Sequence, residues 1–149
     1  MPTSGERLLT IGGRLCTALG VIYMFGVLGN VIYTLSLIQP TGMMTDILLL
    51  FLFIIAAIYG VIGFAAASFI IFASIKSIKH RGNLSKAKFL IVIGAINVCA
   101  VLIAYNFAIT HILHTIARIF IVVLSLSGSI IILVGAIKNY NEHNDNNIK

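Results

Sequence analysis

The side chains best suited to chemistry lie in the stretch HILHTIARIF, residues 111–120. His111, His114 and Arg118 are spaced by three and four residues, so a helix places them on one face. Two histidines on one helix face are typical of a zinc site or a pH-sensitive site. Zinc is usually held by three or four protein ligands, and Asp46 is the one further candidate for this set. We therefore favour a polar cap in which Asp46 pairs with Arg118 or a histidine, and we predict neither a metal nor a cofactor.

Motifs for other reactions are missing from the sequence. It contains no G-x-S-x-G, H-E-x-x-H, Walker A or G-x-G-x-x-G pattern. The four carboxylate side chains lie outside the apolar segments, at Glu6, Asp46, Glu142 and Asp145. We therefore predict that the chain is not an enzyme and assign no catalytic residue. A membrane enzyme that uses the His111/Asp46 group remains a third, weaker hypothesis.

The composition identifies the solvent of this chain as lipid. Of its 149 residues, 60% are hydrophobic and only 9% are charged, whereas soluble domains carry about 25% charged residues. The net charge of +6 does not indicate nucleic-acid binding, because the basic residues lie at the ends of apolar segments. Cys16 and Cys99 lack metal-ligand spacing and are interpreted as thiols that pack in apolar surroundings.

Four apolar segments are long enough to cross a bilayer, which requires about 20 residues. We place these spans at about 15–38, 47–75, 89–110 and 115–137. Because the connections are short, neighbouring helices must pack antiparallel. The sequence thus predicts an all-α polytopic membrane protein with one four-helix domain, residues 1–138. The remaining stretch, 139–149, is polar and rich in asparagine, and we predict a disordered cytoplasmic tail.

The connection between the second and third spans is strongly basic. Its cationic residues are Lys76, Lys79, Arg81, Lys86 and Lys88, whereas the connection before the second span has none. By the positive-inside rule, this loop and both termini are cytoplasmic, and the polar cap at Asp46 and Arg118 lies outside. These cations are also able to bind anionic lipid, but topology alone accounts for them. The short loops favour a multi-pass protein of a prokaryotic plasma membrane.

Three uncharged polar residues fall inside the spans. Asn30 and Asn97 each lie about 14 Å from the end of their span, counted from opposite faces, and Ser127 lies about 16 Å from its end. The depths predict one polar layer at the membrane midplane. We interpret the layer as hydrogen bonds that hold helices together, and the alternative is the lining of a solute path.

Small residues recur at helical spacing. Gly12, Cys16 and Gly20 form one stripe, and Ser125 and Ser129 form another. Such stripes let membrane helices approach closely. They favour an accessory, regulatory or immunity-type protein that packs against a membrane-protein partner or a second copy of itself.

The alternative function is a small transporter or channel for a small solute, either as a single chain or as an oligomer. The chain is similar in size and helix number to the small multidrug-resistance exporters. Their hallmark is a glutamate within the first helix, and the first span here has none. The resemblance therefore covers architecture only.

Overall fold

Four long α-helices make up the described part of the chain. The structure, a computed structural model, describes residues 3–37, 46–108 and 115–147. The helices are α1 (Ser4–Leu37), α2 (Asp46–Lys79), α3 (Ala87–Ala108) and α4 (Thr115–Asn147), and a 3-10 turn at Leu84–Lys86 precedes α3. Those residues contain no β-strand. The predicted all-α fold is confirmed.

Helices that follow one another in the chain are antiparallel neighbours. α1 packs along both α2 and α4, α3 packs along the same two helices, and α1 also approaches α3 across the bundle. Gly13 near the start of α1 lies against Ser74 near the end of α2. Gly60 in the first half of α2 lies against Val31 near the end of α1. This reversed register confirms the antiparallel bundle.

The outer surface of the bundle is apolar. All four helices contain a segment long and apolar enough to cross a membrane: Ser4–Ser36, Leu49–Lys79, Ala87–Tyr105 and Ile119–Glu142. Phe25, Val61 and Phe120 are 70%, 69% and 66% exposed. Water would drive such side chains inward, whereas lipid tails accept them. The chain is therefore a multi-pass membrane protein.

Glycines bring α1 and α4 into close contact. A Cβ atom on Gly12 would lie 2.9 Å from the carbonyl oxygen of Gly128, and one on Gly128 would lie 2.8 Å from Sγ of Cys16. Both distances are too short for a methyl group, so the observed helix separation requires glycine. The predicted stripe divides between two neighbours, because Gly20 lies against Ile71 on α2 rather than on α4.

The first helix begins at Ser4, well before the predicted start of the first span near residue 15. Thr3 caps the helix, since its Oγ1 accepts a hydrogen bond from the backbone N–H of Glu6 at 3.2 Å. The T-x-x-E spacing is that of a capping box. Hydropathy marks where a helix enters lipid, whereas capping marks where it begins.

The last helix also runs further than predicted. Residues 139–147 continue α4, so the predicted disorder of the tail is wrong for them, and residues 148–149 lie outside the described residues. Polar composition indicates disorder when a segment must start its own helix. Here the membrane-spanning part of α4 already supplies the nucleus, and each further residue adds a hydrogen bond.

Candidate functional site: a buried polar cluster and the basic end

A polar cluster lies in the interior of the bundle, where α1, α3 and α4 meet. Cys16, Asn97 and Ser129 are all fully buried. Nδ2 of Asn97 donates to Oγ of Ser129 at 2.9 Å, and its contact with Sγ of Cys16 is 3.8 Å. Sγ of Cys16 lies 3.7 Å from Oγ of Ser129. One residue from each of three helices is thus joined by hydrogen bonds.

The hydroxyl groups around the cluster are held by their own helices. Oγ of Ser129 donates to the carbonyl oxygen of Ser125 at 3.0 Å. Ser74 on α2 faces the thiol of Cys16, and its Oγ donates to the carbonyl oxygen of Ile70 at 2.6 Å. These bonds to the preceding turn satisfy the hydroxyl protons, so Ser129 is free to accept from Asn97.

One buried polar atom of the cluster, Oδ1 of Asn97, has no hydrogen-bond partner within the described residues. Buried polar atoms of this kind are uncommon and costly in apolar surroundings. The interior of the bundle is therefore not optimised for apolar packing alone.

The predicted midplane layer of Asn30, Asn97 and Ser127 does not form. Ser127 is exposed on α4, and its Oγ donates to the carbonyl oxygen of Val123 at 2.7 Å. Asn30 is buried, but it lies fourteen residues from Cys16 on α1, or about 21 Å along the axis. Depth along a helix does not place residues in one layer, because α1 has 34 residues and is longer than the hydrocarbon core is thick. Depth also leaves the rotation of each helix undetermined.

The chemistry available to the cluster is hydrogen bonding. An amide, a thiol and a hydroxyl stay uncharged at neutral pH. No group of three His, Cys, Asp or Glu side chains that could hold a metal occurs in the described ranges. What the arrangement does is fix the relative rotation of α1, α3 and α4.

A second set of hydrogen bonds closes one end of the bundle, which we call the basic end. Nδ2 of Asn139 donates to the carbonyl oxygen of Arg81 at 2.7 Å, and Oγ1 of Thr3 donates to Oδ1 of Asn139 at 3.4 Å. Nη1 of Arg81 donates to Oγ1 of Thr10 at 2.8 Å. Asn139 is fully buried. It therefore joins the start of α1, the α2–α3 connection and the far part of α4.

The predicted basic loop lies at this end, partly on helices. Nζ of Lys76 lies 5.4 Å from the ring centre of Phe72, and Nζ of Lys88 lies 5.6 Å from that of Tyr140. Such contacts hold the cation over an aromatic face. Lys79, Arg81 and Lys86 complete the predicted set, with Arg81 in the turn between the helices.

His80 is the titratable group that the basic end perturbs. It is half-buried in the turn after α2. The pKa of His80 is lowered, mainly because burial disfavours the charged imidazolium. The positive charges of Lys86, Lys76 and Lys79 lower it further. The neutral imidazole is thus favoured in the folded protein.

Two residues of the predicted outer polar cap, His111 and His114, lie outside the described residues. Asp46 is the first residue of α2 and Arg118 lies in the first turn of α4, and for these two only the backbone is described. The pairing of Asp46 with Arg118 or a histidine stays a prediction.

Sequence reasoning missed three residues that the structure brings into these sets. From the sequence alone, Cys16 and Ser129 are predicted only to pack as small residues, and Asn139 is predicted to lie in a disordered tail. For Ser129 the sequence does hold a signal, because Ser125 and Ser129 are four residues apart and therefore place two polar side chains on one helix face. For Cys16 and Asn139 the sequence holds no such signal.

No protein-family model matches this chain, and no curated protein or solved structure matches it either.

Proposed function

We propose that the chain is a non-enzymatic accessory or regulatory protein, of which immunity proteins are one kind, that packs against a helix of a membrane-protein partner. The observation that carries the proposal is an open groove between α2 and α3. Its volume is about 380 Å³, and four of its nine lining residues are small: Ala65, Ala66, Cys99 and Ala100. Small side chains let a second helix backbone approach closely within a bilayer.

The contrast with the interior supports this proposal. Inside the bundle, polar groups of Cys16, Asn97 and Ser129 bind one another and tie three helices together. The groove holds no charged side chain, and Cys99 within it is exposed. Hence the polar cluster acts to hold the fold, and the apolar groove is the surface left for a partner.

The test is purification of the tagged full chain from its native membrane in mild detergent, with native mass measurement. We expect a stoichiometric membrane-protein partner. Ala65→Phe fills the groove and should abolish the association. Ala18→Phe makes the same change at an exposed site on α1 and should preserve it. Equal recovery of the partner with both variants would refute the groove as the docking surface, and a defined homo-oligomer would replace the partner by a second copy.

A second candidate function, a small transporter or channel, is favoured by a buried polar atom. Oδ1 of Asn97 lacks a partner in the described part of the chain, and such an atom can be satisfied by water. A hydrated path predicts solute flux in reconstituted vesicles, changed by Asn97→Leu without loss of folding. No flux above empty vesicles would count against it.

The orientation of the bundle is also a proposal. Eight of the ten Lys and Arg residues lie in or next to the basic end: Arg7, Arg14, Lys76, Lys79, Arg81, Lys86, Lys88 and Lys138. We infer that this end is cytoplasmic, in a plasma membrane of a prokaryotic cell. Reporter fusions after residue 149 test this orientation, because a reporter active only outside the cell should stay inactive there.

A further inference from the structure

A pocket at the basic end is separate from both the polar cluster and the groove. Its volume is about 280 Å³, and its lining consists of Glu6, Arg7, Thr10, Ile11 and Arg81. It lies between the first turns of α1 and the turn after α2. This pocket combines two cations, one carboxylate, one hydroxyl and one apolar side chain at the end of a membrane-spanning helix.

The guanidinium of Arg81 is positioned in advance. Nη1 donates to Oγ1 of Thr10 at 2.8 Å, while that hydroxyl donates to the carbonyl oxygen of Glu6 at 2.8 Å. The carbonyl oxygen of Arg81 is held by Asn139. Both the side chain and the backbone of Arg81 are therefore tied down, which lowers the entropy lost when a ligand binds.

The two arginines keep most of their binding capacity. A guanidinium carries five N–H donors, and Arg81 uses one of them on Thr10. Over the described ranges, neither Arg7 nor Arg81 forms a salt bridge, and both are exposed. Paired guanidinium groups suit a phosphate, whose oxygens accept two parallel hydrogen bonds.

The remaining lining residues argue against a free phosphate ion and for a lipid. Glu6 would repel a free dianion, but its carboxylate pairs with an ammonium group. Ile11 is 59% exposed, one turn deeper along α1 than Arg7, where a hydrocarbon chain would cover it. Phosphate, ammonium and hydrocarbon occur together in amine-bearing phospholipids, and basic pockets between helices on one membrane face are known lipid headgroup sites.

We propose that the pocket formed by Glu6, Arg7, Thr10, Ile11 and Arg81 binds the headgroup of an amine-bearing phospholipid. Arg7 and Arg81 bind the phosphate diester, and Glu6 binds the ammonium. The acyl chain next to the headgroup lies over Ile11. The backbone N–H groups of Glu6 and Arg7 take no part, because Thr3 accepts both of them, at its Oγ1 and its carbonyl oxygen.

The test is native mass spectrometry of the delipidated full chain, titrated with phosphatidylethanolamine or phosphatidylglycerol of the same acyl composition. We expect tighter binding of phosphatidylethanolamine. Arg81→Gln should weaken it about tenfold, the effect of one lost charge-assisted hydrogen bond. Glu6→Gln should keep lipid binding but remove the preference for the amine.

Arg14→Gln is the matched control, since Arg14 is an exposed arginine on α1 outside the pocket lining. It should leave the titration unchanged, and thermal unfolding should confirm that every variant is folded. Equal affinity for the two lipids, or equal loss in Arg14→Gln and Arg81→Gln, would overturn the proposal. Displacement of the lipid by millimolar inorganic phosphate would overturn it as well, because the site would then bind a small anion.

Discussion

The hydrogen bond between Asn97 and Ser129 makes a quantitative prediction about the stability of the bundle. Ser129→Ala removes the acceptor at 2.9 Å, so the buried amide of Asn97 keeps only the weak contact with Cys16 at 3.8 Å. Its Oδ1 already lacks a partner among the described residues. An amide left unsatisfied at both ends should cost about 1–3 kcal/mol of unfolding free energy.

Asn97→Leu should cost less, even though it removes the larger polar group. Ser129 still donates to the carbonyl oxygen of Ser125 at 3.0 Å, so its hydroxyl is not orphaned. The substitution loses one interhelical hydrogen bond, about 0.6 kcal/mol on average and about 1.7 at most. It also removes the unpartnered Oδ1, which offsets part of that loss.

The double variant, Asn97→Leu with Ser129→Ala, tests whether the costs of the two substitutions are additive. Once Asn97 is leucine, Ser129→Ala has no amide to orphan, so its cost should fall by about 1–2 kcal/mol. Unfolding free energies measured by steric trapping in bicelles check the cycle. Ser127→Ala is the control, because this exposed serine bonds only to its own helix at Val123, and its effect should stay within about 0.5 kcal/mol. Additive costs, or a larger cost for Asn97→Leu than for Ser129→Ala, would refute the account.

Three further predictions concern other parts of the bundle. Gly128→Val should lower the unfolding free energy by about 1–3 kcal/mol, because the new side chain meets the fully buried thiol of Cys16. Gly60→Ala should lower it less, because its Cβ meets only one methyl group, at 3.1 Å. Equal shifts in the thermal unfolding temperature would contradict the close packing at Gly128. Asn139→Leu should lower the unfolding free energy by about 0.5–1.5 kcal/mol, because it removes the hydrogen bond to the carbonyl oxygen of Arg81. An unchanged unfolding free energy would show that this hydrogen bond does not stabilise the bundle. The pKa of His80 is lowered in the folded state, so as the pH falls the unfolded chain is protonated before the folded protein. The contribution of His80 to the unfolding free energy is therefore complete above about pH 6.5, and it is lost as the pH falls through the lower pKa of the folded state. His80→Gln should flatten that part of the pH profile of unfolding, and an identical slope in both proteins would exclude His80 as its cause.

The fold follows from the sequence because it depends on hydropathy and loop length. Each apolar segment must be helical, because a helix satisfies its own backbone polar groups in lipid, and the short connections then require neighbouring helices to be antiparallel. The ends of α1 and α4 were placed too far inward because polar residues can continue a helix that lipid has already nucleated. The T-x-x-E capping box at Thr3 would have corrected one of them.

The polar cluster was predictable only in part. Asn97 could be recognised as a buried polar residue, since an amide deep in an apolar span needs a partner. Its partners could not be identified, because they depend on the rotation and axial offset of α1 and α4. A shift of one residue turns a helix by about 100°, and this is enough to place Ser129 inside the bundle while Ser127 faces outward.

The tie at Asn139 has a consequence for the biogenesis of the protein. Its partner Thr3 is separated from it by 136 positions, so the hydrogen bonds of Asn139 at the basic end cannot form until α4 has been synthesised. Until α4 leaves the ribosome, the face of α1 that carries Gly5 and Gly12 lacks its neighbour, because both glycines lie against α4. A nascent chain halted after α3 would therefore expose this face in the bilayer, where membrane proteases and insertion chaperones would encounter it first.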